Sequence, residues 1–158
     1  MRELRGTPDG RRSRIGIALS RYNESITRGL LDGALAALRA GGVAEDAITV
    51  VHVPGALELP LAAQQLAQGG RHDAVLALGA VIRGETDHYA YVCAETASGC
   101  TRVALDTGVP VAFGVLTCET LALAQARAGA PAKNKGTEAA RAALEMIDVL
   151  AQLREVAR

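Results

Sequence analysis

The chain has 158 residues, 49% of them apolar and 22% charged, which is enough for one globular domain that buries its core without disulfides or a structural metal. Seventeen basic and seventeen acidic side chains cancel, so the long-range field of a nucleic-acid binder or a polybasic membrane binder is excluded. No run approaches 18 uninterrupted apolar residues, which excludes a membrane-spanning helix.

Residues 1–13 are polar and basic, carry Gly and Pro, and have no apolar stretch of the kind a signal peptide needs. They read as a mobile arm in front of a single domain over 14–158. Residues 14–20 (RIGIALS) form a buried strand, and a helix follows with Ile26, Leu30, Leu31, Ala34, Leu35 and Leu38 at helical spacing. Asn23 is placed to cap that helix, and Gly41-Gly42 ends it. Residues 47–53 are a second strand, followed by a turn at Pro54-Gly55 and a helix whose first turn tolerates Pro60. Residues 73–82 are a third strand, 86–107 a helix, 109–116 a fourth strand, 119–128 a short helix and 135–156 a long terminal helix.

Four apolar strands without internal alternation, separated by helices, indicate an α/β domain of three layers, a four-stranded parallel sheet covered on both faces. Only Tyr22, Tyr89, Tyr91 and Phe113 are aromatic and Trp is absent. The core is therefore built from Ala, Val, Leu and Ile, and small side chains suit close packing of layers and of subunits.

In an open parallel sheet, ligands bind outside the carboxyl ends of the strands. Those ends carry Ser20-Arg21-Tyr22-Asn23, Val53-Pro54-Gly55-Ala56, Ile82-Arg83-Gly84-Glu85-Thr86 and Leu116-Thr117-Cys118. Polar, glycine and aromatic residues collect there in an otherwise aliphatic sequence. Gly84-Glu85-Thr86 opens a helix straight after a buried strand, so free N–H groups and a hydroxyl make an anion site for one phosphate. The plainer reading is that Thr86 caps the helix. The segment is neither a dinucleotide fingerprint nor a Walker loop.

His88 lies two residues on, where an imidazole can move protons near neutral pH, whereas His52 and His72 read as structural. The three histidines lack metal-ligand spacing, so neither a metal nor another cofactor is expected. Tyr22 can offer a flat platform to a planar ring. Phe113 reads on pattern alone as core. Glu58 is either an acceptor for a polyol or a solvated first-turn acid, and Arg127 either a phosphate clamp or a cation at a helix end. Cys93, Cys100 and Cys118 form neither a CxxC motif nor an even disulfide set, which fits a reducing cytoplasm. Cys93 and Cys100 read as core. Cys118 could pair with His88 as a nucleophile, but nothing local supports activation of its thiolate.

Taken together, SRYNESITRGLLDGAL, VPGALELP, ALGAVIRGETDHYAYV, VPVAFGVLTCET and KNKGTEAARAALEM, in this order and spacing, resemble the lumazine synthase family of riboflavin biosynthesis. The resemblance covers 14–150 and implies a flavodoxin-like α/β protomer. It implies a transferase that condenses 5-amino-6-(D-ribitylamino)uracil with 3,4-dihydroxy-2-butanone 4-phosphate to 6,7-dimethyl-8-ribityllumazine, phosphate and water. By position it gives Tyr22, with Asn23 beside it, the stacking place, and Ala56, Leu57 and Glu58 the ribityl chain and substrate edge. Ala80, Val81 and Ile82 match the backbone that reads the uracil, and Gly84, Glu85 and Thr86 the phosphate loop. His88 matches the proton-transfer residue, Phe113 a substrate contact and Arg127 the phosphate-binding arginine, with Lys135 near the phosphate.

The family draws Phe113 and Arg127 from the neighbouring subunit of a pentamer, with decamers and sixty-subunit shells as further assemblies. Four positions depart from its pattern: Tyr22 stands where Phe or Trp is commoner, Leu123 and Ala126 where Gln and Glu are usual, and Pro131 in the bend that controls packing between pentamers. The rival readings are a flavin- or lumazine-binding relative without turnover and a shell protein whose assembly is its main role. An intact phosphate set weighs against both.

Overall fold

A computed structural model describes residues 1–157; Arg158, the last residue of the expected domain, lies outside the described residues. Four strands, β1 (Ile15–Ser20), β2 (Ile48–Val53), β3 (Ala74–Ile82) and β4 (Val111–Cys118), pair in parallel in the order β2-β1-β3-β4. The helices are α1 (Glu24–Ala40), α2 (Leu59–Gln68), α3 (His88–Thr107), α4 (Leu121–Ala128) and α5 (Lys135–Val156). This is the three-layer, flavodoxin-like α/β architecture expected from the strand pattern.

Side chains alternate across the sheet and meet a different helix layer on each face. Ile15, Ile17, Leu19, Leu76 and Leu78 pack with Ala34 and Leu38 of α1 and with Ala140, Ala143 and Leu144 of α5. On the other face, Ala18, Ala77 and Val115 meet Leu59 of α2 and Cys100 of α3. Beyond the first cluster, Ile26, Leu30, Ala80 and Leu116 pack on Ala124 and Ala128 of α4. Small residues set the spacing: a Cβ on Gly136 of α5 would lie 1.9 Å from the Leu30 carbonyl oxygen of α1.

Two local expectations are corrected. The fourth strand runs from Val111 to Cys118 rather than over 109–116. Pro110 has no N–H for the ladder, and the register instead extends to Val81↔Thr117 and Ile82↔Cys118. Asn23 precedes α1 in a left-handed conformation, φ 60° and ψ 51°, and its side chain makes no capping bond. Its amide reaches across to β3 instead.

Ahead of β1, Thr7 donates from both N–H and hydroxyl to Asp148 Oδ2 of α5 at 2.8 and 2.9 Å. Gln152 Nε2 donates to the Arg5 carbonyl at 2.8 Å, and Gly10 N to the Gly41 carbonyl at 2.7 Å.

Candidate active site

The carboxyl ends of β1 and β3 are unequal, and that inequality makes a cleft. Pairing with β1 stops at Leu19↔Leu78, while pairing with β4 continues to Ile82↔Cys118. The β1-facing main chain beyond Leu78 therefore runs on past the end of the neighbouring strand. The Asn23 amide donates to the Ala80 carbonyl there at 3.1 Å, which ties the start of α1 to this edge. Odd-numbered residues of β3 turn their backbone groups to β4, as the Arg83 N–H does to the Cys118 carbonyl, so on this free edge Ile82 offers an N–H and a C=O, a donor and an acceptor suited to the edge of a planar heterocycle.

Tyr22 and the turn after β2 form one wall. The Tyr22 N–H donates to the Pro54 carbonyl at 3.0 Å. Its ring lies over Gly55, where a Cβ would come within 2.7 Å of the ring carbon Cδ2. Glycine at 55 is thus what lets the platform sit, and the ring stays 65% exposed. Glu58 Oε2 accepts from the Gly55 N–H at 2.8 Å and closes the turn. A carboxylate has further acceptor capacity after one such bond, so this role leaves Glu58 able to hold hydroxyls. Leu57 beside it is 49% exposed, and Ala56 is buried beneath.

At the end of β3 the chain turns through Gly84, Glu85 and Thr86, all exposed, and α3 begins at His88, two residues later than expected. The space where a Gly84 Cβ would point is open to 4 Å. Thr86 Oγ1 accepts from the His88 N–H at 3.4 Å. That long contact is weak as a cap and leaves the hydroxyl free to donate. His88 sits at the first position of the helix, on the same rim as the loop.

A clasp that sequence reasoning missed ties this loop to the next one. Arg83 Nε pairs with Glu119 Oε2 at 2.8 Å, and the guanidinium stacks 4.5 Å above the Tyr89 ring centroid. The Arg83 N–H also donates to the Cys118 carbonyl at 2.9 Å. The partners lie far apart in sequence and carry no motif, so only the register of β3 on β4 reveals them. Burial raises the pKa of the Tyr89 hydroxyl, with the Cys93 thiol and the Glu119 carboxylate adding to the effect.

Cys118 closes β4. Burial pushes its thiol up, and the charge of Arg127 offsets part of that rise. Cys93 is raised by burial as well, and Cys100 is pushed up to about 11. No thiolate nucleophile is prepared at these positions. His72 Nδ1 pairs with the Leu66 carbonyl at 3.1 Å, a structural contact. Among the described residues no cluster of His, Cys, Asp or Glu is arranged to hold a metal.

Tyr22, Asn23, Ala56, Leu57, Glu58, Ala80, Val81, Ile82, Gly84, Glu85, Thr86 and His88 all lie at or just beyond the carboxyl ends of β1, β2 and β3. Phe113, Arg127 and Lys135 belong to β4, α4 and α5. Phe113 pairs with Ala77, five residues and about 16 Å back along β4, and packs into the layer of α2 and α3. Arg127 occupies the last turn of α4. Lys135 starts α5 and pairs its Nζ with Glu138 Oε1 at 2.8 Å.

The family model described as 6,7-dimethyl-8-ribityllumazine synthase matches residues 12–151. A protein of Edwardsiella ictaluri (strain 93-146) named 6,7-dimethyl-8-ribityllumazine synthase is 54% identical over 155 residues, which cover 98% of this chain and 99% of that protein. With the sheet order and the strand-end cleft, these matches place the chain in the 6,7-dimethyl-8-ribityllumazine synthase family.

Proposed function

We propose that the chain condenses 5-amino-6-(D-ribitylamino)uracil with 3,4-dihydroxy-2-butanone 4-phosphate to 6,7-dimethyl-8-ribityllumazine, the penultimate step of riboflavin synthesis. It acts in the cytoplasm as a homo-oligomer, a pentameric ring with sites between neighbours. What supports the chemistry is that an overhanging main-chain edge, an exposed aromatic ring and the exposed Gly84-Glu85-Thr86 turn all lie at the carboxyl end of the sheet.

The pyrimidine stacks on Tyr22, and its edge is read by the backbone of the Ala80–Ile82 segment. Glu58 and the main chain at Ala56 and Leu57 take the ribityl hydroxyls. The phosphate of the ketone sits against Gly84, Glu85 and Thr86. The 5-amino group attacks the ketone carbonyl, and loss of water leaves an imine. Loss of the neighbouring proton and departure of phosphate leave an enol, which becomes the second carbonyl. The ribitylamino nitrogen closes the ring on it and expels a second water. Each step exchanges protons and leaving groups only, without net oxidation. Alignment of two bound reactants supplies about 7–11 kcal/mol in favourable geometry. His88, on the rim beside the phosphate loop, takes and returns protons, a role that typically adds about 10²–10⁴-fold.

A neighbouring copy brings Phe113, Arg127 and Lys135 to the phosphate and ring. The support is the place of Phe113, five residues back along β4 from the carboxyl end of the sheet, and the surface around it. Phe113 lies on edge strand β4. Leu61 of α2 and Tyr91 and Leu105 of α3 are 66%, 71% and 80% exposed, apolar surface that a second copy would cover.

The test mixes both substrates with the purified chain and follows lumazine absorbance together with phosphate release. Equal amounts of the two products are expected. Binding of lumazine without phosphate release would identify a ring binder and contradict the proposal.

A further inference from the structure

α4 ends without a left-handed glycine: its cap, Gly129, has φ −90° and ψ −116°. Its last carbonyls therefore lack the usual closing N–H groups and need partners from elsewhere. One side chain supplies them. Asn134 Nδ2 donates to the carbonyls of Ala128 and Gly129 at 3.0 and 3.2 Å, and to the Gly29 carbonyl of α1 at 2.9 Å. On its other side Asn134 Oδ1 accepts from the Thr137 N–H at 3.1 Å and caps α5. The residue is 3% exposed. A primary amide offers two N–H donors and an acceptor in one rigid plane; here the two N–H groups serve three carbonyls, one of them shared, and the oxygen accepts one bond.

The surroundings are cut to fit it. A Cβ on Gly33 of α1 would lie 2.2 Å from Asn134 Oδ1, and one on Gly29 would lie 2.4 Å from the Ala128 carbonyl oxygen. Thr137 Oγ1 adds a bond to the Gly33 carbonyl at 3.1 Å. Arg127 immediately precedes one of the held carbonyls, and Lys135 immediately follows the amide.

We propose that Asn134 is a positioning residue: by closing α4 and opening α5 with one buried amide, it fixes the two cations that meet the substrate phosphate, Arg127 and Lys135. The proposal rests on the phosphate role assigned to those cations above. The amide touches no substrate and acts through the backbone of the helix ends.

Asn134→Asp separates the two halves of the amide, because a carboxylate still caps the Thr137 N–H but can donate to none of the three carbonyls. The expected result is a rise of about tenfold in KM for the phosphorylated ketone, the loss that follows from misplacing one charge-assisted contact. KM for the pyrimidine should stay within about twofold by comparison. Thr137→Val, which removes a junction bond but keeps the amide's own contacts, should lower thermal stability and leave both KM values unchanged. Should Asn134→Asp fail to accumulate, Asn134→Ser takes its place, since a short hydroxyl also caps but cannot span the three carbonyls.

Equal rises in both KM values, no rise in either, or the same selective rise in Thr137→Val would overturn the proposal. Arg127→Ala, measured alongside, separates the two levels of inference. A selective rise there with none in Asn134→Asp removes only the positioning role. A flat response in Arg127→Ala removes the phosphate reading and the proposal with it.

Discussion

Asn134 and Ser20 are both buried polar side chains at the end of a regular element, and they are treated in opposite ways. At the junction of α1, α4 and α5 the Asn134 amide has a partner for every donor and acceptor it offers. At the carboxyl end of β1 the Ser20 hydroxyl, 0% exposed, has no partner at all among the described residues. It lies against Gly79, whose Cβ would approach to 2.8 Å. The first region gives every polar atom of the amide a partner and sets geometry. The second leaves one buried hydroxyl without a protein partner among the described residues. Buried donors left unmade cost free energy, so the first region contributes stability where the second forfeits some.

Breaking the contrast at the rim should remove rate and spare stability. His88→Ala takes away an exposed side chain on the rim. Turnover should fall by about 10–1000-fold with KM values little changed, while the thermal midpoint stays at that of the unaltered chain. Steady-state kinetics and a melting curve together decide it, and unchanged turnover would reduce His88 to a helix residue.

Breaking it at the junction should do the reverse. Gly136→Ala forces a methyl against the Leu30 carbonyl, backbone against backbone. A loss of about 3 kcal/mol is expected, the upper range for overpacking, read from equilibrium denaturation. A change under about 0.5 kcal/mol, the range of an ordinary surface substitution, would show that α1 and α5 are free to move apart.

The third prediction sharpens the comparison by removing the orphan. Ser20→Ala deletes a buried hydroxyl that bonds to nothing, so stability should hold or rise by about 1 kcal/mol. A clear loss would reveal that the hydroxyl has a partner in solution, such as an ordered water.

The smallest effect lies in the residues ahead of β1. The two donors of Thr7, first the N–H and then the hydroxyl, hold the Asp148 carboxyl below its ordinary value of 3.8. A depressed folded-state value means that this contact is present above the ordinary carboxylate range and is lost as pH falls through the depressed value. Amide exchange at residues 5–10 should therefore accelerate below about pH 4, and Asp148→Ala should reproduce that acceleration at pH 7. Equal protection in the variant at pH 7 would dissociate the segment from Asp148.

The layers and the parallel sheet were legible in the sequence because they follow from local pattern. Apolar runs without alternation mark strands covered on both faces, and their carboxyl ends are where polar residues and glycines gather. Contacts between elements were not legible. Asn23 looked like a helix cap but serves Ala80, 57 positions away, because the left-handed backbone at 23 turns its amide from the helix. The clasp of Arg83 with Glu119 and the reach of Asn134 to Gly29 depend on packing that no short window contains. One signal was present for the latter. Gly29 and Gly33 sit four apart inside a helix, where glycine costs up to about 1 kcal/mol against alanine. Such a pair on one face marks a close approach.

The most direct measurement is co-assembly of two defective chains. The proposed shared site takes His88 from one chain and Arg127 from its neighbour, so His88→Ala and Arg127→Ala would damage it from opposite sides. Assayed with the phosphorylated ketone well below its KM, each alone should be strongly impaired. Co-expressed so that mixed rings form, random equal mixing leaves roughly one-quarter of sites with both residues intact if each site draws on two chains. Recovery near one-quarter of the unaltered activity is the predicted result. Activity no higher than that of the two separate variants, in rings proven to be mixed, would mean that each site is built within one chain and would contradict the shared cleft.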